Sequence, residues 1–168
     1  MDPMHGARRL IVMRHAKAGE LPGGPDAERA LAPRGQRDAA AAGQWLAGHG
    51  YIPDVVICSM ARRARQTWRG VCAELPVPVE ALQDPRLYEA GAGDLVEIIS
   101  AAAPGTATLM YVGHNPAAQN LASALLGQPV GFPTAAIAVI GLAAPWAELA
   151  PGGGELVASW VPAPRPAG

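Results

Sequence analysis

The sequence predicts an α/β fold, a three-layer α/β/α sandwich around a mostly parallel central sheet. Short runs of Val, Ile and Leu, bounded by Gly, Pro or polar residues, recur along the chain, and longer Ala- and Leu-rich stretches with helical spacing lie between them. That alternation is the signature of strands joined by crossover helices. Residues 10–13, 55–58, 108–112 and 136–142 are the expected core strands, and residues 34–49, 61–75, 93–103 and 116–126 the expected helices. Residues 145–149 and 155–161, joined by Pro151-Gly152-Gly153-Gly154, read as a C-terminal β-hairpin closing one edge of the sheet. The Gly/Pro-dense "LPGGPDAE" is a loop. Residues 1–161 form one expected domain, and the Pro-rich "PAPRPAG" at 162–168 is an expected disordered tail.

With 168 residues, half of them hydrophobic, the chain can bury a core without disulfides or metals. Thirteen Lys and Arg balance fourteen Asp and Glu, so neither general nucleic-acid binding nor membrane-surface binding is expected, and any anion site must be local. Cys58 and Cys72 are too few for a disulfide framework or a tetrahedral thiolate site and suit a reduced, cytoplasmic protein. The apolar run after Arg8 and Arg9 breaks at Arg14, too soon for a signal peptide or a membrane span. A soluble monomer is expected.

The strand ends carry the chemistry. Residues 10–13 lead into Arg14-His15, residues 55–58 into Ser59 and the basic turn holding Arg63, and residues 108–112 into Gly113-His114-Asn115. Ligands of parallel α/β sheets bind at the carboxyl ends of strands, so these groups can meet in one crevice. Imidazoles and guanidiniums so gathered depress one another's protonation unless an anion joins them. Phosphate suits the set, because Arg offers paired N–H donors and a strand-to-helix turn adds backbone N–H groups. Asn115 is a good N-cap with Pro116 at the first helical position, which would set His114 at a helix mouth.

Other chemistries fit poorly. A cysteine-phosphatase loop starting at Cys58 needs an Arg six positions on, where Ala64 stands, so Cys58 reads as core. Zinc-ligand spacing, a P-loop ending and a dinucleotide fingerprint after a strand are missing from the sequence, so neither a metal nor a nucleotide cofactor is expected. Asp26, Glu28, Asp84 and Asp94 read as solvated loop or helix-start charges. His5 lies near the terminus, and His49 closes a helix where a cation is favourable.

Taken in order, "VMRHAKAG", "DAERALAPRGQRDAAAAGQWL", "VICSMARRARQT", "LYEA", "VGHNP" and "FPTAAIAVI" resemble the histidine phosphatase superfamily, and within it the short bacterial SixA-like phosphohistidine phosphatases. The resemblance covers nearly the whole chain. It implies a phosphoglycerate mutase-like fold and a phosphatase with His15 as nucleophile, Arg14, Arg63 and a protonated His114 completing the phosphate pocket, and Arg29 as a further pocket arginine. Asn115 joins Arg29 as a substrate-binding candidate. No metal is needed where fixed cations clamp the phosphoryl oxygens. Arg62 and Arg65 should point away from Arg63 on a helix starting near Ser59, and Lys17 reads as a loop lysine.

The chain departs from the family pattern at three places. Ala16 stands where many members carry Gly, and Ala32 replaces a capping Thr, a loss of about 1 kcal/mol partly offset by Pro33. Larger members carry a carboxylic proton donor in an insertion; here Glu89 is the mid-chain candidate. An imidazole leaves from a P–N bond far more readily than an alkoxide from a P–O bond, so a missing acid favours phosphohistidine as substrate. The chain also lacks lid insertions, and an open site admits a protein side chain. The implied partner is a phosphohistidine protein, such as a member of a phosphorelay. A small phosphomonoester, or phosphate bound by a non-catalytic module, is the alternative.

Overall fold

A computed structural model describes residues 7–164, and in it the apolar runs line up as one six-stranded sheet. Along the chain the elements are β1 (Arg8–Arg14), α1 (Pro33–Gly48), β2 (Val55–Cys58), α2 (Arg62–Cys72), β3 (Ala81–Gln83), α3 (Ala92–Ser100), β4 (Thr108–Gly113), α4 (Ala117–Leu126), β5 (Ile137–Leu142) and β6 (Gly154–Trp160). The spatial order is β3-β2-β4-β1-β5-β6. Strands β1 to β4 are mutually parallel, β5 runs antiparallel to β1, and β6 antiparallel to β5. The sheet is therefore mostly parallel, as predicted.

Both faces of the sheet are covered, which is why its central strands are apolar at every position rather than at alternate ones. Leu10, Val12, Leu109, Tyr111 and Ile140 point into a core with Leu95 and Ile99 of α3 and Leu121 and Leu125 of α4. Ile11, Met13, Met110, Val112 and Val139 point the other way, against Ala42 and Leu46 of α1 and Trp68 and Val71 of α2. Small residues let α1 and α2 meet closely: a Cβ on Gly43 would come within 2.5 Å of the Val71 carbonyl oxygen, and one on Gly70 within 2.9 Å of the Ala39 Cβ.

The C-terminal hairpin differs from its expected form. Residues 145–149 are not a strand; Trp146–Glu148 forms a 3₁₀ turn, and β6 pairs instead with β5 across the connection 143–153. The reason is Trp146. Its indole is buried against α3 and α4, and its Nε1 donates to the Thr106 carbonyl at 2.8 Å, a position that an edge strand would not supply. The edge placement itself stands, because β6 is the outermost strand. Strand β3 escaped the sequence reading, being three residues long and largely exposed at an edge. His5 and residues 165–168 of the Pro-rich tail lie outside the described residues, and 162–164 follow β6 without regular structure.

Helix α1 begins on Ala32, which has no side-chain cap, with Pro33 at the first turn. The Ala32 N–H donates to the Lys17 carbonyl at 2.9 Å, so the helix start is tied to the loop that follows β1. Gly35 makes this approach possible: a Cβ there would lie 2.1 Å from the Lys17 carbonyl oxygen. Helix propensity alone makes Gly35→Ala stabilising by up to about 1 kcal/mol, whereas the close backbone contact makes it destabilising by about 1–3 kcal/mol. We expect the second sign in urea unfolding of the variant, and a raised midpoint would contradict the contact.

Candidate active site

Strands β1, β2 and β4 end side by side, and their carboxyl ends deliver His15, Ser59 and His114 to one place. His15 follows β1 directly. Its N–H donates to the Gly113 carbonyl at 2.8 Å, and its own carbonyl accepts from the Ala135 N–H at 3.0 Å. Ala135 holds φ at 66°, a left-handed conformation that costs a non-glycine residue about 1–2 kcal/mol. This strain serves the site, because the turn at 133–136 aims that N–H at His15.

The His15 ring is 9 % exposed, and its Nδ1 lies 2.7 Å from the Ala16 carbonyl oxygen. A carbonyl only accepts, so Nδ1 carries the proton and the lone pair belongs to Nε2. Arg63, in the first turn of α2 and 7 % exposed, brings its Nε to 3.4 Å from that Nε2. The His114 ring lies 5.3 Å from the His15 ring, centroid to centroid. Burial above all, then the charges of His114, Arg63 and Arg14, push the His15 pKa down to about 3 against the opposing pull of the Ala16 carbonyl. The ring is therefore neutral at physiological pH, the form in which an imidazole can act as a nucleophile.

His114 is also neutral, its pKa lowered to about 4 by burial first and then by Arg63 and Arg14, with Asp26 opposing. The protonated His114 implied by the resemblance belongs to a site that holds an anion; in the protein alone, burial and the two guanidiniums disfavour the second proton. The ring is held from one side: the Ser59 hydroxyl accepts from the Ala61 N–H at 3.2 Å and shares a hydrogen bond of 2.7 Å with His114 Nε2. His114 Nδ1 and the Nε of Arg14 are buried without a hydrogen-bond partner among the described residues. Arg14 is fixed through Nη1 to the Phe132 carbonyl at 3.0 Å, leaving that Nε for another acceptor. Two unanswered buried polar nitrogens beside the His15 ring, one of them an arginine donor, form a cradle suited to a tetrahedral oxyanion.

A second group of residues braces the first. Arg63 donates Nη1 to the Asp26 carbonyl and Nη2 to Asp26 Oδ2, each at 2.9 Å. Arg29 donates Nη1 to Asp26 Oδ1 at 3.0 Å and Nε to the Gly19 carbonyl at 3.1 Å. The Tyr88 hydroxyl donates to Asp26 Oδ2 at 2.5 Å, and its ring meets His114 edge-on. Thr67 links α2 to the His15 loop, donating to the Arg63 carbonyl at 2.7 Å and accepting from the Ala16 N–H at 2.9 Å. Tyr111 supports β4's end: its hydroxyl accepts from the His114 N–H at 3.3 Å and occupies the space where a Cβ on Gly113 would fall.

The structure thus gathers Arg14, His15, Arg63 and His114 as expected, and reaches Arg29 through Asp26. Arg62 is exposed and Arg65 turns its Nε to the Met60 carbonyl, while α2 begins at Arg62 rather than near Ser59. Asn115 is not the N-cap, since α4 starts at Ala117 behind Pro116. Its Nδ2 donates to the Phe132 carbonyl at 2.9 Å and its Oδ1 accepts from the Gln119 N–H at 3.3 Å, so it holds the loop that also anchors Arg14. Glu89 is exposed and makes no hydrogen bond or ion pair among the described residues; its neighbour Tyr88 is the one that reaches the site. Cys58 is buried core, its thiol pushed up to about 12 by desolvation. Asp94 and Asp84 serve helix starts, as expected, accepting from the N–H groups of Gly91 and Arg86.

Asp26, Ser59, Thr67 and Tyr88 were not recognised as site residues from the sequence. Asp26 reads locally as one more loop carboxylate. The signal that points to it is the surplus of cations converging on the crevice, which calls for a buried or half-buried carboxylate, and its three-residue spacing to Arg29.

Comparison with known proteins identifies the family. Residues 10–103, more than half of the chain, match the histidine phosphatase superfamily (branch 1). An uncharacterized protein of Mycobacterium tuberculosis is 38 % identical over 161 residues, covering 89 % of this chain and 99 % of the relative. A candidate phosphohistidine phosphatase SixA of Nakamurella multipartitia is 33 % identical, with a TM-score of 0.80 over 93 % of this chain and 96 % of the other. The protein histidine phosphatase SixA complexed with tungstate is 27 % identical, with a TM-score of 0.78 over 90 % and 95 % of the two chains. With its two histidines and two arginines gathered at the strand ends of this fold, the chain belongs to the histidine phosphatase superfamily.

Proposed function

We propose that this protein is a metal-independent phosphatase that hydrolyses phosphohistidine on a partner protein through a phosphohistidine intermediate on His15. The pinned ring carries the reading: with Nδ1–H bound to the Ala16 carbonyl, the His15 Nε2 lone pair faces the arginine-lined cradle. Nε2 attacks phosphorus, and the bond to the leaving group breaks with its electron pair remaining on that group. Arg14, Arg63 and His114 hold the phosphoryl oxygens as their charge redistributes. Water then attacks the phosphorus on His15, releasing phosphate and restoring the neutral ring.

The relative solved with tungstate, a tetrahedral oxyanion, supports the cradle. The proton inventory supports the choice of substrate. Asp26 is the carboxyl group of the site, and hydrogen bonds from Tyr88, Arg29 and Arg63 hold it well below the usual carboxylate range. An ionised Asp26 cannot protonate a departing alkoxide. An imidazole needs no such donor at the breaking bond, so the same site serves phosphohistidine better than a small phosphate ester. Among the described residues no helix is long and apolar enough to cross a membrane. A phosphohistidine-bearing protein of a phosphorelay fits as partner.

Three measurements test this. Treated with a phosphoramidate donor, the wild type should acquire an acid-labile phosphate on His15 by mass spectrometry, and His15→Ala should lose turnover by at least about 10⁴-fold; label on another residue overturns the mechanism. Arg63→Lys removes both the paired donors and the Nε contact, and should lower kcat by about 10²–10³-fold. In nuclear magnetic resonance titrations of the free protein, the rings of His15 and His114 should stay neutral from about pH 8 to about pH 5, because their pKa values fall below the ordinary histidine value of about 6.5. A protonation midpoint for either ring between about pH 6 and pH 7 contradicts the desolvated site.

A further inference from the structure

Asp26 poses a problem that phosphate binding alone does not solve. A carboxylate on Arg63, the guanidinium that faces the nucleophile, repels an incoming phosphoryl group and competes with it for donors. If anchoring Arg63 were the only need, the Asp26 backbone carbonyl already binds its Nη1 at 2.9 Å, and an uncharged side chain would serve without the repulsion. The side chain is nonetheless half exposed, at 51 %, while the guanidinium it holds is buried. Its Oδ1 accepts one bond, from Arg29, and a carboxylate oxygen can accept two. The hydroxyl of Tyr88 reaches the other oxygen, and the Tyr88 ring stands edge-on to His114, 5.6 Å between centroids. An acceptor with spare capacity therefore opens to solvent one residue away from each of the two catalytic rings.

From this juxtaposition, and resting on the phosphohistidine reading above, we infer that Asp26 is a specificity residue that accepts a hydrogen bond from the distal ring N–H of the departing imidazole, with Tyr88 forming the wall against which that ring lies. Only the substrate ring protonated at its distal nitrogen satisfies the carboxylate; an unprotonated ring would direct a lone pair at it. The step balances without a general acid. His15 Nε2 forms the new bond to phosphorus, and the old P–N bond breaks with its electron pair staying on the substrate nitrogen. The distal proton remains where it was, so the cationic ring leaves as neutral imidazole and Asp26 stays ionised throughout. A phosphate ester has no such proton to offer, and its leaving oxygen gains nothing from the carboxylate. The residue that weakens phosphate binding thus selects among phosphorylated side chains.

The test compares two leaving groups on the same enzyme. A phosphohistidine peptide carries the distal N–H, whereas p-nitrophenyl phosphate has no ring nitrogen and leaves without a proton. In Asp26→Asn the kcat/KM ratio of the peptide over p-nitrophenyl phosphate should fall at least tenfold, while Asp26→Glu, which restores an anion on a longer arm, should recover part of it. Tyr88→Phe, which keeps the ring and loses the hydroxyl, should move the ratio less than Asp26→Asn. If Asp26 merely positions Arg63, both substrates lose activity in proportion and the ratio stays constant; that result overturns the assignment while leaving the phosphohistidine reading intact. If the wild type turns over p-nitrophenyl phosphate but not the peptide, the substrate reading falls and this role falls with it.

Discussion

The hydrogen bond from His15 Nδ1 to the Ala16 carbonyl is the constraint on which the rest of the site depends. It settles which nitrogen carries the proton and which one keeps its lone pair. A free imidazole on a loop would exchange tautomers and turn in solvent, whereas this ring is buried, bonded one residue along its own chain, and faced by a guanidinium that favours the lone pair. The backbone around it is held as firmly. Gly113 of β4 accepts from the His15 N–H, the strained Ala135 donates to its carbonyl, and Thr67 fixes the next residue to α2.

Electrostatics sets the second condition. Two guanidiniums and two imidazoles meet in a desolvated crevice, and both rings yield by giving up their second protons. Their neutrality suits the proposed function, since a neutral His15 ring keeps its lone pair, and the His114 Nδ1 stays buried without a partner among the described residues. Asp26 offsets part of the arginine charge, ties Arg63 to Arg29, and carries Tyr88 into the assembly. Together these contacts order the pocket before substrate arrives, which is where electrostatic stabilisation of phosphoryl transfer originates. Under the proposed function, a site built this way works by placement rather than by proton donation from a carboxylic acid.

The sandwich fold explains why these residues coincide. With β1, β2 and β4 adjacent and parallel, their carboxyl ends lie at one edge of the sheet, and the loops leaving them project the same way. The small-residue contact of α1 with α2 and the Gly35 approach to Lys17 draw the helix layer onto the His15 loop. Packing far from the chemistry therefore sets the position of the loop from which the nucleophile emerges.

The sequence by itself determined the class of fold and the four core strands, and with the family resemblance, which picked Arg63 from its basic turn, the set Arg14, His15, Arg63 and His114. These were legible because apolar runs and helical spacing are local patterns, and because strand ends in a parallel sheet share a side whatever the details. Only the tertiary structure decided the tautomer of His15, the desolvation of His114, and the bonds from Asp26 to Arg63 and Tyr88, partners 37 and 62 positions away. It also turned Trp146 inward, where a strand had been expected, and gave Asn115 to the loop at Phe132. The reason is physical: periodicity records which residues are apolar, whereas hydrogen bonding and desolvation depend on what the folded chain places alongside, and no local stretch contains that.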